Sequence, residues 1–359
     1  FFLSFLCFTF LTGSNIISSD IIGGFFVSFI YFSISIPFSF LVLYLLRLLD
    51  MYEKEDWSHI IFSFLWGALG ATFFSLIANE INATLFTFIC GKTMGDICTA
   101  SLSAPIFEEM FKMFAVVIII LFLRSKFNSP IDGMVYAASA GLGFKLVEDF
   151  LYISRGIAQG GFAGGLIMMI FRWIFGFLLH SLMTSFVGFA IGFATLTKEY
   201  YKKILYVLSG YLLSAGSHFL WNFTASMLPY IFGNYACFIG LIVYPLYTVI
   251  YISLNILLYI RALNVEKNIL KEVLQDELNE DLINNDILYE LININSRSKR
   301  KNTYTDNKFR KLYDIYMNIL ASYALLKKQY LNSQDQNLYK EMEEKRGVLY
   351  VLKPILFSS

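Results

Sequence analysis

The chain has 359 residues, 57% of them hydrophobic and 18% aromatic, with a mean hydropathy of +0.60. Only 15% are charged, against about 25% in ordinary soluble domains, which excludes a soluble globular protein and points to a polytopic membrane protein. The net charge of +1 carries no footprint of nucleic-acid binding, and no nucleic-acid partner is expected. Most charge lies beyond Arg261. The expected fold is therefore all-α: a helical bundle in the lipid bilayer over residues 1–261, then a soluble helical tail over residues 262–359.

A helix needs about 20 apolar residues to cross a bilayer. In that unit Phe1–Leu11 is half a span, without the basic flank of a signal peptide. Ile21–Leu49 is the first full span, with Pro37 as a tolerated kink. Ile60–Ala78, Ala100–Leu123, Ile131–Ile153, Gly165–Leu196, Ile204–Leu228 and Ile231–Ile260 follow, for about seven to eight transmembrane helices. Lys and Arg concentrate around every second loop: Arg47 and Lys54, then Arg124 and Lys126, then Lys198, Lys202 and Lys203. Intervening loops carry at most Lys92 or Arg155 alone. That bias places residues 50–59, 124–130, 197–203 and the tail in the cytoplasm. Cys90 and Cys98 share a loop and could pair in an oxidising compartment or stay as free thiols; no Cys-x-x-Cys exists.

Beyond Arg261, Leu270, Leu274, Leu278 and Leu282 recur every fourth residue among acids and lysines. Ser296–Lys301 reads as a basic linker, and Lys308–Tyr330 carries a stripe of Leu312, Ile315, Ile319 and Leu326. These spacings predict a small helical hairpin. Nothing in it names a partner for the tail.

The membrane spans hold ionisable groups, each costing about 2.5–3.5 kcal/mol on insertion scales, which makes them functional candidates. Glu108, Glu109 and Lys112 open one span. On a helix Lys112 lies at i+4 from Glu108 and i+3 from Glu109, so it can neutralise one acid and leave the other free. Lys145 and Asp149 share one face of the next helix and can pair structurally, while Glu148 shares another face with Phe144. Arg172 could bind a carboxylate or snorkel outward. His180 has Thr184 on its face, and His218 has Asn222 one turn later. At about 1.5 Å per residue, Glu108, Glu148, His180 and His218 lie about 24, 27, 25 and 23 Å from the cytoplasmic edge. Four helices of alternating direction thus bring polar groups to one level, toward the non-cytoplasmic side.

Two acidic helices and two histidine helices suit water activation. In a metal-based arrangement His180, His218 and one Glu, such as Glu148, hold zinc and the remaining Glu is the base. In a metal-free one a Glu activates water while His and Asn222 stabilise the oxyanion. The spacing leaves both open. An ion- or proton-coupled transporter would use the same groups as a relay, although no internal repeat supports it, and a non-catalytic relative with a scaffolding tail is the third alternative.

These blocks resemble the PrsW intramembrane proteases, related to the CAAX prenyl protease and bacteriocin-processing group. Glu108-Glu109-Met-Phe-Lys112 is similar to the Glu-Glu-x-x-Lys block, and Phe144-Lys-Leu-Val-Glu148 to Phe-x-x-x-Glu. His180 with Gly188 and Gly192, and His218 with Asn222, resemble the two histidine blocks. All occur in order over roughly residues 100–225; Asp149 departs from the Asn expected after the Glu. The resemblance implies cleavage of a membrane-anchored protein, such as an anti-sigma factor, near the non-cytoplasmic face of a bacterial inner membrane. It further implies that Glu108 and Glu109 activate water or bind metal, that Glu148, His180 and His218 complete the centre, and that Asn222 orients or stabilises the oxyanion.

Overall fold

A computed structural model describes residues 21–278 and 282–357; the half-span at Phe1–Leu11 lies outside them. Helix α1 (Ile21–Leu49) is followed by α2 (Trp57–Leu65) and α3 (Thr72–Cys90), joined by a π-turn at Trp66–Ala71. Together these make one apolar rod of 34 residues, Trp57–Cys90, longer than the expected Ile60–Ala78. No Pro or Gly interrupts residues 72–90, and the rod stops only at Gly91, whose φ of 77° suits a residue without a Cβ. Helix α4 (Lys92–Cys98), a π-turn (Thr99–Ser103) and α5 (Ala104–Phe122) follow without a gap. The π-turn falls just before Pro105, which lacks an N–H and whose ring would meet the preceding turn. Cys90 and Cys98 are free thiols.

Helix α6 (Pro130–Gly176) reverses at Gly160 and Gly161, both non-helical, with Gly161 at φ 61°. Its start is fixed by a capping box: the Ser129 hydroxyl accepts from the Ile131 and Asp132 amides, and Asp132 accepts from the Ser129 amide. After a turn at Phe177 and Leu178 comes α7 (Leu179–Thr195). The expected single span Gly165–Leu196 is thus divided just before His180. Helix α7 runs back along the first leg of α6. A Cβ at Gly141 would lie 2.4 Å from the His180 carbonyl oxygen, and one at Gly133 would lie 2.0 Å from that of Gly188. Only glycine permits this approach, the small-residue packing usual between membrane helices. Helices α8 (Tyr200–Phe232) and α9 (Ala236–Glu277) complete the bundle.

The bundle is a helical membrane structure. Its outside is apolar, with Phe88, Ile167 and Leu257 more than three-fifths exposed, while Glu108, Glu109, Lys112, Lys145, Asp149, His180 and His218 are buried inside. Among the described residues, four helical stretches are long and apolar enough to cross a membrane: Phe26–Leu49, Trp57–Cys90, Pro130–Thr195 and Tyr200–Glu277. The last two are long enough to fold back and cross more than once, and α5 stands outside this set because three charges fall within it.

Helix α9 continues through residue 261 without a break, so the change from membrane to tail composition happens inside one helix. The tail adds α10 (Asn285–Ile292), α11 (Ile294–Thr303), α12 (Asn307–Ser333) and α13 (Gln336–Phe357). Leu270, Leu274 and Leu282 are fully buried in its core. The expected basic linker Ser296–Lys301 lies within α11, capped by the Asn293 side chain. On α12 the buried face is Tyr313, Tyr316, Met317, Leu320 and Ala324, while Ile315 is exposed. Of the expected stripe, Leu326 is buried and Leu312 and Ile319 pack against this core, and tyrosine rings supply much of the rest of the face's apolar area. The tail grips one end of the bundle. Gln329 donates to the Phe127 carbonyl at 2.6 Å, Asn332 to that of Leu196 at 2.9 Å, and the Lys54 amide donates to Asn318 at 2.6 Å. The three loops grouped by their basic residues therefore share one face with the tail.

Candidate active site

Helices α5, α6, α7 and α8 bring their acids and histidines to one point. Glu109 is fully buried and saturated. It accepts from Lys112 Nζ, Thr184 Oγ1 and Ser214 Oγ, each at 2.8 Å, and meets His218 Nδ1 at 3.0 Å. Glu108, one position on, faces elsewhere. Its Oε1 accepts from Asn79 at 3.3 Å, and its Oε2 is buried without a hydrogen-bond partner. Lys112 Nζ lies 2.8 Å from Glu109 but 3.6 Å from Glu108, so one acid is neutralised more fully than the other.

Glu148 is held by Arg172 and lies 2.9 Å from His180 Nε2. Arg172 also pairs with Asp149, stacks its guanidinium 4.3 Å from the Tyr152 ring centre, and so turns inward rather than snorkelling. Lys145 pairs with Asp149. Each histidine is thus oriented by its own carboxylate. If His180 donates through Nε2 to Glu148, its Nδ1 lone pair accepts from Lys112, 2.8 Å away. If His218 donates through Nδ1 to Glu109, its Nε2 lone pair faces Glu108 Oε2 at 3.9 Å. The two rings meet edge to face, 4.9 Å between centres.

One ligand atom each from Glu108, His180 and His218 lies within 4.8 Å of the others. Two imidazole nitrogens and a carboxylate oxygen form a donor set used by catalytic metal sites, and the unpartnered Glu108 oxygen is the atom such an ion would satisfy. These residues fit a metal provided that Lys112, 2.8 Å from His180 Nδ1, gives that lone pair up to the ion. In this group the carboxylate is Glu108, while Glu148 is bound by Arg172 and lies against His180. A cavity of about 40 Å³ opens beside them, lined by Glu148, Arg172, His180, His218, Trp221 and Asn222, which is room for a few water molecules. Asn222 lines it but commits an amide hydrogen to the Ala100 carbonyl at 2.9 Å, tying α8 to the π-turn before α5. Asn79 and Ser214 belong to the site and were not singled out in the sequence; Ser214 lies one turn before His218, which was the available signal.

Carboxylates and imidazoles around a small polar cavity, inside a membrane bundle, are the equipment of an intramembrane hydrolase. The family described as PrsW family intramembrane metalloprotease matches residues 55–252, more than half of the chain. A protein named Protease PrsW from Geobacillus kaustophilus is 31% identical over 166 residues, covering 45% of this chain and 67% of that protein. Another of the same name, from Oceanobacillus iheyensis, is 31% identical over 116 residues, covering 32% of this chain and 49% of that protein. No solved structure matches. The chain belongs to the PrsW family of intramembrane metalloproteases. It is an integral membrane protein and a peptidase acting on membrane-anchored proteins, which sets aside the transport alternative.

Proposed function

We propose that the centre holds zinc through Glu108, His180 and His218 and hydrolyses membrane-anchored proteins near the non-cytoplasmic face. The observation that carries this reading is the convergence of these three ligand atoms within 4.8 Å around an unpartnered Glu108 oxygen. Zinc would polarise the scissile carbonyl and make bound water a stronger acid. Glu148 borders the cavity, so it takes the proton of the attacking water and returns it to the leaving amine. Arg172 and His180 fix its rotamer. Glu109 is a positioning residue, holding His218 as carboxylates hold ligating histidines elsewhere. Lys112 is the counter-ion of the acid pair, Lys145 and Asp149 form a supporting pair, and Asn222 aligns α8 with α5. The Lys and Arg bias of the loops supports a cytoplasmic tail and a site toward the opposite face. The bacterial relatives support a bacterial cell membrane, with anti-sigma factors as the substrate class that the family resemblance implies.

Metal content and cleavage of membrane-anchored test proteins are measured on detergent-purified wild type and variants. Wild type carries one zinc per chain. His218→Ala and Glu108→Gln lose zinc and cleavage together. Glu148→Gln keeps zinc and slows cleavage by roughly 10²–10⁴-fold, the range for losing a general base. Full cleavage by metal-free protein, or by Glu148→Gln, refutes the assignment.

A further inference from the structure

A second set of acids lies at the opposite end of the bundle, where the tail docks. Asp50 and Glu55 come from the loop after α1, and Asp132 from the first turn of α6; one oxygen of each lies within 4.8 Å of the others. All three are at least 95% buried, as is Glu266 of α9, which lies against Ser129 and Ile131 beside Asp132. The capping box accounts for Asp132, whose oxygens accept from the Asn128 and Ser129 amides and the Ser129 hydroxyl. Tyr136 donates to Glu55. Asp50 Oδ1 accepts from the Glu53 amide at 3.2 Å, and Glu266 is supported by Ser129 and Ile131, yet three oxygens are left over. Asp50 Oδ2, Glu266 Oε1 and the amide oxygen of Asn128 are buried with no hydrogen-bond partner. Among the described residues, no Lys or Arg forms an ion pair with Asp50, Glu55, Asp132 or Glu266; Lys126 pairs with Asp56, and Arg47 and Arg297 bond instead to the backbone carbonyls of Glu55 and of Met51 and Tyr52.

Four buried carboxylates with only Arg297 acting from a distance on one of them, Asp50, are costly. All free donors here are oxygens, the preference of hard divalent cations. Calcium binds oxygens at about 2.3–2.6 Å, so ligand atoms across one ion lie up to about 5 Å apart, which the 4.8 Å spacing satisfies. We propose that Asp50, Glu55 and Asp132, with Glu266 and Asn128 beside them, bind a hard divalent cation of the calcium or magnesium class. The ion clamps the loop after α1, the start of α6 and the emerging end of α9 into one junction. It is separate from the hydrolytic centre and does not depend on the reading of that centre.

The test is terbium luminescence on full-length protein in detergent, sensitised by Tyr136, with calcium and magnesium as competitors and thermal unfolding with chelator or added ion as second readout. Expected are one terbium per chain displaced by calcium or magnesium, at least a tenfold loss of affinity in Asp50→Asn and Glu266→Gln, and retention in His218→Ala. Calcium or magnesium at a hundredfold excess over its Kd raises the unfolding temperature of wild type, and EDTA reverses this. Wild type that shows no terbium signal and no shift with calcium, magnesium or EDTA overturns the proposal, and this result needs no variant to fold. A signal lost in His218→Ala but intact in Asp50→Asn overturns it too, by assigning the ion to the hydrolytic centre.

Discussion

Lys112 carries a heavy electrostatic duty. It is fully buried, 2.8 Å from Glu109 and 3.6 Å from Glu108, and its ammonium lies 3.9 Å from the Phe144 ring centre. Lys112→Met keeps the length and apolar stem but removes the charge. Both acids then remain in a region from which water is largely excluded, and breaking one side of a buried pair costs about 3–5 kcal/mol. At roughly 2 °C per kcal/mol for a chain this large, the unfolding temperature falls by on the order of 5–10 °C. Glu109→Gln in the same chain removes the stranded charge while retaining acceptors for Thr184 and Ser214. The double variant is expected to recover part of the loss, with a coupling on the order of 2 kcal/mol. Intrinsic fluorescence during heating is a suitable assay, since Trp66 donates to the Phe111 carbonyl at 2.8 Å, immediately beside Lys112. A Lys112→Met protein as stable as wild type, or a double variant no better than the single, would refute the counter-ion role.

Gly141→Ala places a methyl 2.4 Å from the His180 carbonyl oxygen, forcing α7 away from α6. A loss of about 1–3 kcal/mol is expected, with reduced cleavage as His180 moves. Gly216→Ala on α8 meets nothing within 4 Å, and heating curves should show it neutral or stabilised by about 0.5–1 kcal/mol. Gln329→Ala strips the buried donor from the Phe127 carbonyl. It should cost about 1–3 kcal/mol and speed limited proteolysis of the tail, leaving metal content at the hydrolytic centre unchanged.

The convergence of the ionisable groups is legible in the sequence because charges inside apolar spans are conspicuous and helix rise is constant. Depth alone put Glu108, Glu148, His180 and His218 on one level, and they meet in the structure. The i+3 and i+4 spacings likewise foretold that Lys112 would favour one acid. Less legible was what each acid touches across helices. Arg172 binds Glu148 because Gly160 and Gly161 reverse α6, and a Gly-Gly pair announces a turn without giving its direction. Asn79 and Ser214 escaped notice because small polar residues are common in membrane helices and have no period. The acidic junction is hidden for another reason: the loop at residues 50–59 stands out for Lys54 and the flanking Arg47, and Glu266 approaches it from more than 200 residues away.

The unbroken run of α9 from the apolar bundle into the charged tail has a mechanical consequence. Between Tyr251 and Glu277 there is neither Pro nor Gly, so about 40 Å of helix is a stiff lever. One arm is locked into the tail core through Leu270 and Leu274. The other touches both histidine-bearing helices: Tyr251 donates to the Ser217 carbonyl at 2.9 Å, next to His218, and Asn255 donates to the Leu182 carbonyl at 3.0 Å, two residues past His180. A small tilt of the tail is therefore geared directly onto the separation of the two imidazoles.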